Sequence, residues 1–103
     1  MKNNASVKKI MSRGRAVIGN EFTRGFALDK PVAVIRESDN TVRLTQRKLT
    51  KKMQENHVSS VIPHFNGSCQ VTVSKYFGSA DSVVIYNDFD KQTDVIVRAI
   101  WLK

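Results

Sequence analysis

The side chains most able to do chemistry are concentrated in the stretch RLTQRKLTKK, Arg43 to Lys52, which holds five basic residues in ten positions. A helix over residues 46–56, with Thr45 as its N-cap, would place Arg47, Lys48, Lys51 and Lys52 on one broad face. Leu49 and Met53, at i and i+4, would then face a sheet, and Arg43 would leave the preceding strand just before the helix begins. The first turn of a helix favours acidic residues, because its free N–H groups carry partial positive charge. Here that turn would hold Arg47 and Lys48, and only Glu55 is spaced to pair with Lys51 or Lys52. What is unfavourable for the isolated helix suits a polyanion, since helix N-termini and Lys/Arg side chains both attract phosphate. An ordinary solvated lysine face is the competing explanation.

A second basic cluster precedes it: Lys2, Lys8, Lys9, Arg13 and Arg15. Asn4 as a cap, Val7, Ile10 and Met11 at i, i+3, i+4, and Gly14 as a stop predict a short helix over 5–13. A flexible basic arm over 1–15 is the alternative. The formal charge is +8, and its distribution matters more than its size. Residues 1–52 carry 13 Lys or Arg against four acids, whereas residues 53–103 carry four against five. Such one-sidedness is what a polyanion-binding surface looks like in sequence.

Other constellations carry less. The basic stretches contain no aromatic residue; only Phe22 and Phe26, around Arg24, mix the two types. No RNA-recognition signature, GXXG clamp or helix-turn-helix pair is present, so a nucleic-acid mode would be led by phosphate contacts. His57 and His64, seven residues apart across a strand, would point to opposite faces, and with the lone Cys69 they give no zinc spacing. Histidine pairs do serve small ribonucleases, which keeps that reaction class open. Asp88, Asp90 and Asp94 resemble a cation loop only superficially, lacking the turn glycine and terminal glutamate of an EF-hand; they read as a hairpin turn. Cys69 reads as a small core residue. No glycine-rich phosphate loop appears, and no cofactor or metal is expected.

The elements that would position these residues are mostly strands. RAVIG, PVAVIRE, TVRLT, HVSSVIP, CQVTVSKYF, SVVIY and DVIVRAIWLK read as extended, with SDN, the Asn66-Gly67 pair and NDFDKQT as turns. The sum is a single small α+β domain over 1–103, an antiparallel sheet of about five or six strands with two short helices. There is no 18-residue apolar run and no apolar core near the N-terminus, so neither a membrane span nor a secretory signal is expected, and a cytoplasmic location fits.

Together these features point first to a nucleic-acid-binding protein, RNA ahead of DNA, with Lys9, Arg13, Arg15, Arg43, Arg47, Lys48, Lys51 and Lys52 on phosphates. The second reading is a regulator or inhibitor that docks on an acidic protein partner, where Trp101 near the last strand would matter. The third is a small ribonuclease-type toxin. The first two readings are not enzymes.

Overall fold

The computed structural model describes residues 5–91 and 93–101. Eight strands among them form two antiparallel sheets. They are β1 (Ala5–Lys9), β2 (Arg15–Ile18), β3 (Val32–Ser38), β4 (Thr41–Thr45), β5 (His57–Val61), β6 (Cys69–Thr72), β7 (Ser82–Asn87) and β8 (Val95–Ile100). Six of them are ordered β1-β7-β8-β4-β3-β5, and β2 pairs with β6. Three short helices, α1 (Asn20–Thr23), α2 (Lys51–Glu55) and α3 (Ser74–Phe77), complete an α+β fold.

Alternation decides which face is buried. Val32 and Val34, Val42 and Leu44, Val83 and Ile85, and Val95, Val97 and Ala99 line the inner face of the large sheet. They join Ala16, Ile18, Cys69 and Val71 from the small sheet, with Phe22, Phe26 and Phe77, in one core cluster. The residues between them, such as Arg43, Ile96, Arg98 and Tyr86, lie in register on the outer face. Burial pushes the Cys69 thiol up to about 11, as expected for a small core residue.

Several expected elements differ. Residues 5–9 are a strand rather than a helix, because the outer edge of β7 offers Val7 and its neighbours a backbone ladder opposite Ser82–Tyr86. The proposed cap Asn4, and Lys2, lie outside the described residues. The helix expected over 46–56 is only α2, capped by Thr50, whose side chain accepts from the Met53 N–H at 3.2 Å. Thr45 cannot cap it: it ends β4 and donates its hydroxyl to Asp94 at 2.7 Å. Gln46 is held by the main chain of Ala27 and Lys30, so residues 46–49 stay non-helical. The strand CQVTVSKYF stops at Thr72, and α3 takes its second half. The loop NEFTR contains α1.

Candidate nucleic-acid interface

Strand direction sorts the connections into two ends. At one end, four loops meet: 19–31, 46–50, 62–68 and 88–94. They are tied by side chains bonding to distant main chain. Thr23 donates to the Gly67 carbonyl at 2.6 Å, Asn87 to the Phe22 carbonyl at 2.8 Å, and Gln46 to Ala27 and Lys30. Gly67, at φ 91°, makes the predicted Asn66-Gly67 turn, in which no side-chain-bearing residue would sit easily.

The centre of this loop end is Asp94, which is fully buried. It accepts from Arg47 Nη2 at 2.6 Å, from Arg43 Nη1 at 2.9 Å and from the Thr45 hydroxyl. Arg43 also reaches Glu37 and Asp88, each at 2.6 Å. Burial is the largest influence on the Asp94 carboxyl and works to raise its pKa. The hydrogen bonds from Arg47, Thr45 and Arg43 outweigh it and hold the group below the usual carboxylate range. Asp88 behaves likewise: burial opposes the charge, and the Lys91 N–H and Arg43 stabilise it. For Arg43, burial disfavours the cation, but Glu37, Asp94 and Asp88 together raise its pKa. Arg47 is raised chiefly by its bond to Asp94.

Two guanidinium groups thus meet three carboxylates, and the network carries one net negative charge. All three guanidinium nitrogens of Arg43 are bonded to carboxylates, so a phosphate approaching it would have to displace one, and Arg47 turns its Nε and Nη2 to Asp94. These two members of the predicted site are internal partners in the fold. No local pattern links Arg43 to Asp94, 51 residues away. Asp94 looked like a turn residue because its type is also common in turns.

The predicted residues do not all form one patch. Lys9 faces Ser82, and Arg43 shares a row with Ile96 and Tyr86. At strand spacing this separates them by about 20 Å. Arg15 is half-buried; with the Gln70 amide oxygen turned toward it, its Nη1 and Nε donate at 2.8 and 3.0 Å. Lys48, Lys51 and Lys52 are exposed, Lys48 among the loops and the other two on α2. His57 opens β5 and His64 lies beyond its far end, with at least about 13 Å of strand between them. They are not brought together.

The other end does gather basic side chains. Arg13 sits in the 3-10 turn Ser12–Gly14 with φ 67°, a left-handed conformation that costs a non-glycine residue roughly 1–2 kcal/mol. The next residue, Gly14 at φ 72°, lies so close to Ser74 of α3 that a Cβ there would collide with it. Lys75 follows Ser74, and Arg36 Nη2 donates to the Tyr76 carbonyl at 3.1 Å. Arg36 in turn shares a cavity of about 340 Å³ with Lys52 and Met53. Lys9 ends β1 beside this turn, and exposed Arg98 lies opposite Thr41 and Val84 on the outer sheet face. From Lys9 through Arg13, Lys75 and Arg36 to Lys52, basic residues are linked by neighbouring elements.

Lys75, Arg36 and Arg98 were not among the predicted site residues. Arg98 had a signal: it is the one charge inside VIVRAIW, at an outward position of an apolar strand. Lys75 had none, because its segment read as strand. Among the described residues no group of three or more His, Cys, Asp or Glu side chains is arranged to hold a metal ion. No helix of the described residues is long and apolar enough to cross a membrane. No family model, curated protein or solved structure matches the chain.

Proposed function

We propose that this chain binds nucleic acid, RNA ahead of DNA, through phosphate contacts made at its basic end. The observation that carries this reading is the partition of charge. The four loops hold five basic and five acidic side chains, so the excess of basic residues is carried outside them, Lys2 and Lys103 of it beyond the described residues. Lys9, Arg13, Lys75, Arg98, Lys51 and Lys52 are all exposed. Lys9, Arg13, Lys51 and Lys52 remain from the predicted set, and Arg43 and Arg47 leave it.

RNA is favoured by shape. The longest described helix, α2, has five residues, too short to act as a recognition helix along a DNA major groove. Trp101, 44% exposed beside the last strand, lies nearly perpendicular to the Phe77 ring and supplies exposed aromatic surface for an unstacked base. With about five phosphates neutralised on a single strand, log K falls with log salt at a slope near −3.5.

Fluorescence anisotropy with single- and double-stranded RNA and DNA oligonucleotides, each at two salt concentrations, tests the reading. The expected result is salt-sensitive binding, tightest for single-stranded RNA. A flat salt response, or full affinity after Lys9, Arg13 and Lys75 are all changed to Glu, would sink it.

A further inference from the structure

The cavity between β3 and α2 carries more than positive charge. Its volume, about 340 Å³, falls within the range of small-ligand sites. Ile35, 2% exposed, and half-buried Met53 supply an apolar lining, and Arg36, Glu37, Thr50 and Lys52 set polar groups around it. The β3 ladder slips twice beside these residues: against β5 between Val34 and Ile35, and against β4 between Arg36 and Ser38. Such irregularities re-aim side chains next to binding sites. The Arg36 N–H donates to the Asn56 carbonyl at 2.9 Å, which pins the end of α2 against the strand.

Two of the polar groups are held in place with capacity to spare. The Arg36 guanidinium is fixed by the carbonyls of Tyr76 and Ser38, at 3.1 and 3.4 Å, and its Nη1 has no partner among the described residues. Glu37 gives Oε2 to Arg43 at 2.6 Å, and its Oε1 has no partner among them either. The network that Glu37 belongs to has three carboxylates for two guanidinium groups, so its negative charge is not used up. Groups oriented in advance lose little freedom when a ligand arrives.

This combination narrows the ligand. An inorganic anion would meet Glu37 and leave the apolar lining unused, and a metal cation would meet Arg36 and Lys52. What suits the lining is a flat apolar body with acceptors on one edge, donors on the next, and a phosphate within reach of exposed Lys52. A nucleotide has all of these. Of the four bases only guanine sets two donors side by side, N1–H and the N2 amino group, next to the O6 and N7 acceptors. Arginine takes the acceptor edge, and a carboxylate suits the donors.

We infer that this cavity takes one guanine base of the bound strand, with Arg36 on its acceptor edge, Glu37 on its donor edge and Ile35 and Met53 against its ring. The inference rests on the phosphate reading of the basic end and adds a base preference to it.

Anisotropy titrations of the full chain with a short oligouridine, and with the same strand carrying one central guanosine, test it, because the phosphates are the same in both. Expected is about tenfold tighter binding of the guanosine strand, with a smaller gain when adenosine takes that place. The side-chain methyl resonances of Ile35 and Met53 should move with the guanosine strand more than with oligouridine. Glu37→Gln should bring the ratio of the two affinities to within about twofold of one. Circular dichroism establishes that the variant keeps its fold; if it does not, Met53→Ser must lower the ratio instead. Several outcomes overturn the inference and leave the phosphate reading standing: equal, salt-sensitive binding of both strands, an equal gain from adenosine, unmoved Ile35 and Met53, or a ratio that survives these changes. Binding of neither strand overturns both.

Discussion

The two ends of the molecule use arginine in opposite ways. At the loop end, Arg43 and Arg47 close on Asp94, Asp88 and Glu37, and their charge is consumed in holding four loops together. At the basic end, Arg13 is exposed and occupies a left-handed conformation that nothing in its side chain favours. The comparison teaches that a count of cations along the chain is a poor guide to a binding surface. What distinguishes the two is whether a carboxylate from a distant strand has reached the guanidinium first.

The largest effect expected from breaking this contrast is at Asp94. Replacing it with Ala removes the carboxylate of Arg47, one of the three bonded to Arg43, and the acceptor of the buried Thr45 hydroxyl, and should cost about 3 kcal/mol in denaturant-induced unfolding. Acid should do the same gradually. Asp94 and Asp88 have lowered pKa values in the fold, so their stabilisation is fully present above the ordinary unfolded carboxylate value. It should be lost as pH falls from about 5 through the lower folded values, and a stability–pH curve with no acid limb would contradict this. Arg43 and Arg47 are shifted upward, so both stay charged in folded and unfolded chains throughout that window.

Next in size is the charge reversal of Arg13→Glu with Lys75→Glu. Oligonucleotide affinity should fall about 100-fold and the salt slope should shrink by about two, with stability changed by less than roughly 0.5 kcal/mol. Arg47→Gln should produce the mirror image. Arg47 is about one-third exposed, so solvent screens its pair with Asp94 and the stability loss should be only about 1 kcal/mol, with the salt slope unchanged. The smallest effect is the most discriminating: Arg13→Asn suits the left-handed backbone better and should add about 0.5–1 kcal/mol of stability while weakening binding. A variant that lost both would make Arg13 a structural residue.

Much of the architecture was legible in the sequence because it rests on local pattern. The alternation in TVRLT and DVIVRAIW fixed which side chains face the core, and Asn66-Gly67 marked its turn. Elements decided by tertiary partners were not legible. Val7, Ile10 and Met11 match a helical period, yet β7 recruits the segment as a strand. Residues 46–49 match one too, yet Gln46, Arg47 and Thr45 are each claimed by groups from other loops. Of the candidate site, Lys9, Arg13, Lys51 and Lys52 could be read from charge density alone. Arg98 could be read from its outward place in a strand, but Lys75 and Arg36 become neighbours only through the packing of α3.

Whether nucleic acid contacts the basic end and spares the loop end can be read directly by amide chemical-shift mapping during titration with a single-stranded RNA oligonucleotide. The account predicts perturbations at Lys9, Arg13, Lys75, Arg36, Lys52 and Arg98, and none at Phe65, Phe89 or Arg47. Perturbations centred on Arg43, Arg47 and the loop rings, with Arg13 and Lys75 unmoved, would contradict it.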